Sequence, residues 1–333
     1  VIGVTISGIA GVTLAYLGFS YWGYATQGIV YVAVNTACNW YFSSWRPTFE
    51  FNLAPIKQMF GFSGKLLITN IFNHINNNLF SVILGKFYTE KEVGYYNQAN
   101  KWCTMGQSFI SGMINGVAQP VLTKVSDDLE RQKRVFRKML RFTAFVSFPA
   151  MLGLSIISQE LITIAITDKW HSSISIMQIL CISGAFIPIA GLYQQLIISK
   201  GKSHIYMWNT IVLGIILLTS VLLAHSHGIY AMLAVYVSIN ILWILTWHFF
   251  VQQEIGLKLH HALADILPYA VIAATVMVIT YYSTRSIENI YLRLASKIVL
   301  AAALYVAAMW GSRSVTFKES IQYFIKKKTH EPQ

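Results

Sequence analysis

Residues 229–250 read IYAMLAVYVSINILWILTWHFF, twenty-two consecutive positions without one Asp, Glu, Lys or Arg. An α-helix over that stretch is about 33 Å long, which matches the hydrocarbon core of a bilayer. Working outward, nine further stretches have the same character: Val1–Ser20, Trp22–Tyr41, Phe62–Phe87, Val93–Leu122, Phe142–Ser158, Ile176–Ile198, Met207–Ala224, Ile266–Tyr282 and Leu294–Trp310. A shorter run, Leu161–Ile166, is too brief to cross and is expected to dip into the interface. The reading is an all-α polytopic membrane protein with about ten transmembrane helices. Composition agrees: of 333 residues, 55% are hydrophobic and 11% charged, against about a quarter charged in soluble domains. Three Cys exclude a disulfide scaffold. The chain opens at Val1 inside an apolar run, with no Met and no basic stretch before it, so the reading expects an N-terminal part to precede it rather than a signal peptide.

The net charge of +12 would suggest nucleic acid in a soluble protein; here it reads as topology, and no nucleic-acid partner is expected. One set of alternate loops and the tail hold 17 of the 25 Lys and Arg, including the seven between Lys124 and Arg141 and the tail cluster Lys326–Lys328. The opposite loops hold six: Lys86, Lys91, Lys169, Arg285, Arg293 and Lys297. Because cytoplasmic loops carry the excess of basic residues, both ends of the chain are expected in the cytoplasm. The stretch Thr123–Arg141 reads as an amphipathic surface helix lying against anionic membrane lipids. Outer connections are too short for a catalytic domain.

Two neighbouring segments break the apolar pattern. Phe62–Phe87 carries Lys65, Thr69, Asn70, Asn73, His74, Asn76, Asn77, Asn78 and Ser81. At 100° per residue these fall in an arc of about 220°, leaving Leu67, Ile68, Ile71, Phe72, Ile75, Leu79 and Val82 on the remainder, so the helix has a wet face and an apolar one. In Val93–Leu122, Asn97, Lys101, Thr104, Ser108, Ser111, Asn115 and Gln119 recur at steps of 3 and 4 and form one continuous stripe. Gly106, Gly112 and Gly116 would let neighbouring backbones approach. Ionisable groups inside a membrane normally face a cavity or a partner, which makes Lys65 and Lys101 functional candidates with Asn73, Asn76, Asn77, Asn97, Thr104, Ser108 and Asn115 as cavity lining. A plainer reading stays open: the lysines snorkel to the interface and the asparagines bond helix to helix.

The 13 acidic residues read as lying in loops or at helix ends, so no carboxylate is expected at mid-membrane, where a cation or proton antiporter usually needs one. Amides, hydroxyls and two ammonium groups suit an anionic, polyhydroxylated cargo. Cys38, Cys103 and Cys181 read as small buried hydrophobes. His225 with His227, and His260 with His261, lack the partners of a metal site; neither metal nor cofactor is expected. Pro120, Pro149, Pro188 and Pro268 predict kinks.

The run FGFSGKLLITNIFNHINNNLFSVILGKFYTEKEVGYYNQANKW, from Phe60 to Trp102, resembles the Wzx-like polysaccharide flippases of the multidrug/oligosaccharidyl-lipid/polysaccharide superfamily, in the lipopolysaccharide, O-antigen and colanic acid branch. GVAQPVLTKVSDD (Gly116–Asp128), ITDKW (Ile166–Trp170) and QQLIISKGKS (Gln194–Ser203) support it by order and spacing. The resemblance implies a MATE-like pair of six-helix lobes around a cavity. On that template 1–45 ends the N-lobe, 46–61 is a cytoplasmic linker, 62–252 is the C-lobe, 253–312 two appended helices, and 313–333 a basic cytoplasmic tail. It further implies a non-enzymatic flippase in the bacterial inner membrane that carries undecaprenyl-pyrophosphate-linked oligosaccharide outward by alternating access, with polysaccharide polymerase machinery as a further partner. Lys65 and Lys101 would meet the pyrophosphate. A drug or cation antiporter of the same superfamily, or a membrane-embedded polymerase or ligase, are the alternatives.

Overall fold

The computed structural model describes residues 2–43 and 53–312, and among them every regular element is helical. The expected basic tail 313–333 and residues 46–52 of the expected linker lie outside the described residues. The chain divides into two compact units, 1–58 and 59–333.

The first unit is a hairpin of α1 (Ile2–Tyr16) and α2 (Ser20–Phe42). Gly18 makes the turn at φ +86°, a backbone region that favours glycine. The two helices approach closely at Gly11, whose missing side chain leaves room for Gln27: a Cβ there would sit 2.9 Å from the Gln27 Oε1. The third helix, α3 (Leu53–Phe87), starts inside what the sequence presented as a linker.

In the second unit α3 turns through Tyr88 and Thr89 into α4 (Glu90–Lys124). The turn is fixed by a capping box: Thr89 accepts from the Glu92 backbone N–H, and the Glu92 carboxylate accepts from the Thr89 N–H. There follow α5 (Leu129–Ile156), α6 (Ser158–Ile166), α7 (Ser173–Gly184), α8 (Ile187–Ser199), α9 (Ser203–Ala224), α10 (Ile229–Ile255), α11 (Leu259–Thr284) and α12 (Ile290–Gly311). The stretch expected as one helix over Ile176–Ile198 is broken between α7 and α8, where Pro188 lies in the first turn of α8. A proline lacks the N–H that would continue the α7 ladder. Pro120, Pro149 and Pro268 lie inside α4, α5 and α11.

Six helical stretches among the described residues are long and apolar enough to cross a membrane: 129–156, 173–199, 203–227, 229–255, 259–284 and 290–311. The expected count of ten is therefore not reached on length and apolarity. At 15 residues α1 is short, and α3 and α4, though 35 residues each, carry the polar stripes. The basic stretch Thr123–Arg141 is not a separate surface helix. After the turn at Val125–Asp128 it continues without a break as the first part of α5, because Phe136, Leu140, Ala144 and Phe148 form one buried seam.

The core gathers α4, α5, α7, α8 and α10 around Tyr96, Phe136, Met151, Met177, Tyr193 and Trp247. Helix α11 runs parallel to α5, as Gly153 against Met277 and Phe145 against Tyr269 indicate. The helices that looked appended are fastened to α5 at three heights. Arg137 grips Asp265 bidentately, Nε to Oδ2 at 2.6 Å and Nη2 to Oδ1 at 3.0 Å, with Arg141 Nε 3.7 Å from Oδ1. Higher up, Tyr305 Oη donates to the Phe145 carbonyl at 2.8 Å. At the far end Lys297 Nζ donates to the Ile156 carbonyl at 2.8 Å and to Glu160 at 2.7 Å, and Arg293 Nε lies 2.6 Å from the same carboxylate oxygen.

Two placements are corrected by these contacts and a third is kept. Glu160 lies in the first turn of α6, at a helix end as read, and is fully buried there. Asp265 is buried in the second turn of α11 rather than before its start. Lys297 is a buried residue of α12, not an outer-loop cation. Each sits in a helix because its charge is met by partners remote in sequence.

Removing one member of a buried pair leaves the other uncompensated and costs a few kcal/mol. Asp265→Ala is expected to destabilise the protein by about 2 kcal/mol or more, discounted for the partial exposure of Arg137. A thermal melt in detergent checks this; an unchanged midpoint would contradict the fastening role.

Candidate functional site

Helix α4 has two faces. Tyr96, Ala99, Cys103, Ile110, Ile114, Ala118 and Leu122 are buried against α7, α8 and α5. The adjacent face, about a quarter-turn round the helix, carries Asn97, Lys101, Thr104, Ser108, Asn115 and Gln119, all exposed, with Ser111 half-buried. The stripe read from the sequence is thus one continuous surface running the length of α4. Beside it, Met105, Phe109, Met113 and Val117 are also exposed and form a separate apolar ridge. Two neighbouring surfaces of opposite polarity on one helix are what a boundary between water and hydrocarbon requires. Gly106 lets α5 come near, its would-be Cβ 3.0 Å from Leu154 Cδ2; nothing approaches Gly112 or Gly116 within 4 Å.

Polar side chains on the stripe hold one another and their neighbours. Ser81 Oγ donates to Asn97 Oδ1 at 2.6 Å, joining α3 to the top of the stripe. Gln107 Nε2 donates to Thr104 Oγ1 at 3.4 Å. Gln195 Nε2, from α8, donates to Asn115 Oδ1 at 3.3 Å, with Gly191 leaving room for that amide. Lys101 has no hydrogen-bond or ion-pair partner among the described residues and stands exposed.

Helix α3 is less simply divided than its sequence suggested. Thr69 and Asn76 are buried with Phe80 and Ile83 on a packing face. There Asn73 Nδ2 donates to Tyr206 Oη at 2.9 Å, and Asn76 Nδ2 to the Thr210 carbonyl at 3.1 Å. Gly214 accommodates the Asn76 amide, since a Cβ there would overlap it. Asn73 and Asn76 therefore bond α3 to α9. Of the expected apolar face, Leu67, Ile68, Ile71, Ile75 and Val82 are exposed, while Phe72 is half-buried and Leu79 buried. Asn70, Asn77 and Ser81, spaced by 7 and 4, share one azimuth and lead to Asn97.

Lys65 is exposed and, like Lys101, has no partner among the described residues. It does not share a level with Lys101. Counting 1.5 Å per residue from the Ser81–Asn97 bond, Lys101 lies about 6 Å and Lys65 about 24 Å toward the same end of the helix pair. Hence Asn97, Lys101, Thr104, Ser108 and Asn115 come together on one face with Asn77 near their upper end, while Lys65 stands apart and Asn73 and Asn76 point into the packing. Between α11 and α12 there is a separate apolar groove of about 370 Å³, lined by Val271, Ile272, Val276 and Leu304 with Thr275 as its one hydroxyl; it offers nothing to a polar headgroup. The buried charges Glu160, Asp265 and Lys297 were missed in the sequence, where only their position near helix ends was visible.

The fold defines a class, a helical bundle in which six stretches among the described residues are long and apolar enough to cross a membrane. It is shared with the lipid II flippase MurJ in an inward closed conformation, at a TM-score of 0.69 and 15% identity over 96% of this chain and 67% of that one. Residues 1–175 match the family described as polysaccharide biosynthesis protein, and the chain belongs to that family. Among relatives, the lipopolysaccharide biosynthesis protein WzxC of Escherichia coli (strain K12) is 28% identical over 59% of this chain and 41% of its own length. The teichuronic acid biosynthesis protein TuaB of Bacillus subtilis (strain 168) is 24% identical over 84% of this chain and 57% of its own. The chain thus spans about half the length of these curated relatives.

Two outcomes follow from the site's geometry. Asn76→Ala should lower stability by about 1 kcal/mol, and Asn77→Ala should leave it within about half of that, as a melt would show. With Cys38 replaced by Ala, a cysteine at Ser108 should react with a membrane-impermeant thiol reagent and one at Phe109 should not. Equal labelling of the two would contradict a wet stripe beside a lipid-facing ridge.

Proposed function

We propose that this chain forms part of a flippase that moves lipid-linked oligosaccharide, built on undecaprenyl pyrophosphate, from the cytoplasmic to the outer leaflet of the bacterial inner membrane for surface polysaccharide synthesis. The observation that carries the proposal is the exposed stripe on α4, five turns of amide and hydroxyl groups with the unpartnered Lys101 among them. Such groups exchange hydrogen bonds with sugar hydroxyls as readily as with water, and an ammonium attracts phosphate. The apolar ridge of Met105, Phe109, Met113 and Val117 alongside keeps the rest of the helix in contact with hydrocarbon. A cargo with a wet head and a polyprenyl tail is matched by that division.

In this reading α1 and α2 close one lobe, α3 to α10 form the second, and α11 and α12 follow it. Ten crossings result, because α3 and α4, about 52 Å long by helical rise, cross with one side against water and need not be apolar all round. Both ends face the cytoplasm. Alternating access in the full-length protein presents the stripe to one side of the membrane and then to the other. Lys101 and Lys65, at different depths, meet the pyrophosphate at successive points of its passage, and Asn77, Asn97, Thr104, Ser108 and Asn115 line the path. Polysaccharide polymerase machinery takes the product. An ion-coupled antiporter finds less support, since the buried carboxylates Glu160 and Asp265 each already face two basic groups.

Replacing Lys65 and Lys101 together by Ala should reduce export of surface polysaccharide by about tenfold or more, with the protein level unchanged. Arg at both positions should retain most of it. Full export by the Ala double variant would overturn the assignment of these lysines.

A further inference from the structure

At the end of the α5–α11 pair that holds Leu129 and Leu259, basic groups gather from two helices. Lys133, Arg137 and Arg141 lie one turn apart along α5, and Lys258, His260 and His261 form the entry to α11. The charges of Lys133, Arg137 and Lys258 all act on the His261 imidazole, and the His260 and His261 rings lie 4.0 Å apart. Against four permanent cations the cluster holds two carboxylates. Asp265 is consumed by Arg137 and Arg141, and Glu130 stands 3.8 Å from Lys133. Positive charge is therefore left over.

Three further observations point to a ligand. The Nδ1 atom of His261 is enclosed without a hydrogen-bond partner among the described residues. Lys258, the residue that caps α11, makes no side-chain cap bond, so the N–H groups of Leu259 and His260 remain open to an anion, while that of His261 donates to the Lys258 carbonyl. From the cluster an apolar ridge runs along α11 in four-residue steps: Leu259, Leu263, Leu267 and Val271 are 39%, 39%, 49% and 61% exposed. Cationic donors at the foot of an exposed apolar ridge match an amphiphile, with an anionic head against the donors and chains along the ridge.

We propose that the Lys133–Lys258–His260–His261 cluster binds the phosphate headgroup of an anionic phospholipid, at a site separate from the α4 stripe and independent of which cargo that stripe carries. Arg137 shapes the site through its hold on Asp265, and the lipid chains lie along the exposed face of α11 that points away from Asp265 and α5. The same clamp that fastens α11 to the rest of the unit is thereby tied to the composition of the membrane.

The full chain, purified in detergent and mixed with phosphatidylglycerol or phosphatidylcholine, would be examined by native mass spectrometry. Phosphatidylglycerol should be retained in preference, and in a K133Q/K258Q/H260Q variant its retention should weaken by about tenfold or more with the melting midpoint unchanged. Should that variant not purify, K258Q alone and the loss of bound lipid from the parent protein at raised salt give the same reading. Equal retention of the two lipids, undiminished binding by the variants, or displacement of phosphatidylglycerol by millimolar inorganic phosphate would each overturn the proposal; the last would mark a site for free phosphate.

Discussion

Hydrocarbon offers no hydrogen-bond partner, so each polar group that these helices carry toward it must find one in the protein or remain in water. The second unit answers this constraint in two ways. Deep charges are matched: Glu160 with Arg293 and Lys297, Asp265 with Arg137 and Arg141. The polar groups of α4 are matched only in part. They stay exposed in a line, held only by lateral bonds to Ser81, Gln107 and Gln195. A group buried and satisfied by the fold is structural, and a continuous exposed line with spare donors and acceptors is where the proposed reading places its hydrophilic cargo.

That distinction also sorts the asparagines of α3. Seen as a sequence, Asn73, Asn76 and Asn77 are alike. In the fold Asn73 and Asn76 bind Tyr206 and the Thr210 carbonyl, whereas Asn77 is exposed. The two buried amides secure the helix on which the third is presented. Likewise the pair α11 and α12 is more than an appendage, since its contacts reach α5 near Arg137, Phe145 and Ile156.

The sequence was most readable where one helix suffices to explain a pattern. Every apolar stretch falls on a helix or a helix pair, and the α4 stripe needed only the 3.6-residue period. Readability failed where the reason lies across helices. Nothing near Asp265 announces Arg137, which is 128 positions away, nor does Glu160 announce Lys297, at 137. Without those partners both acids looked like end-of-helix residues. The continuity of α5 through its basic half was hidden similarly, because the buried seam Phe136–Leu140–Ala144 is diluted by six cations between Arg131 and Arg141. The break at Pro188 was visible as a kink but not as the end of a helix.

The account stands or falls on whether lipid-linked sugar changes leaflet through this protein. In cells deleted for the full-length gene, spheroplasts probed from outside with a lectin or glycosidase matched to the cell's own surface glycan report where the repeat units lie. The account predicts repeat units confined to the cytoplasmic leaflet and surface polymer lost. Repeat units exposed outside at normal levels, with only the polymer missing, would contradict it and assign the chain to a step after translocation.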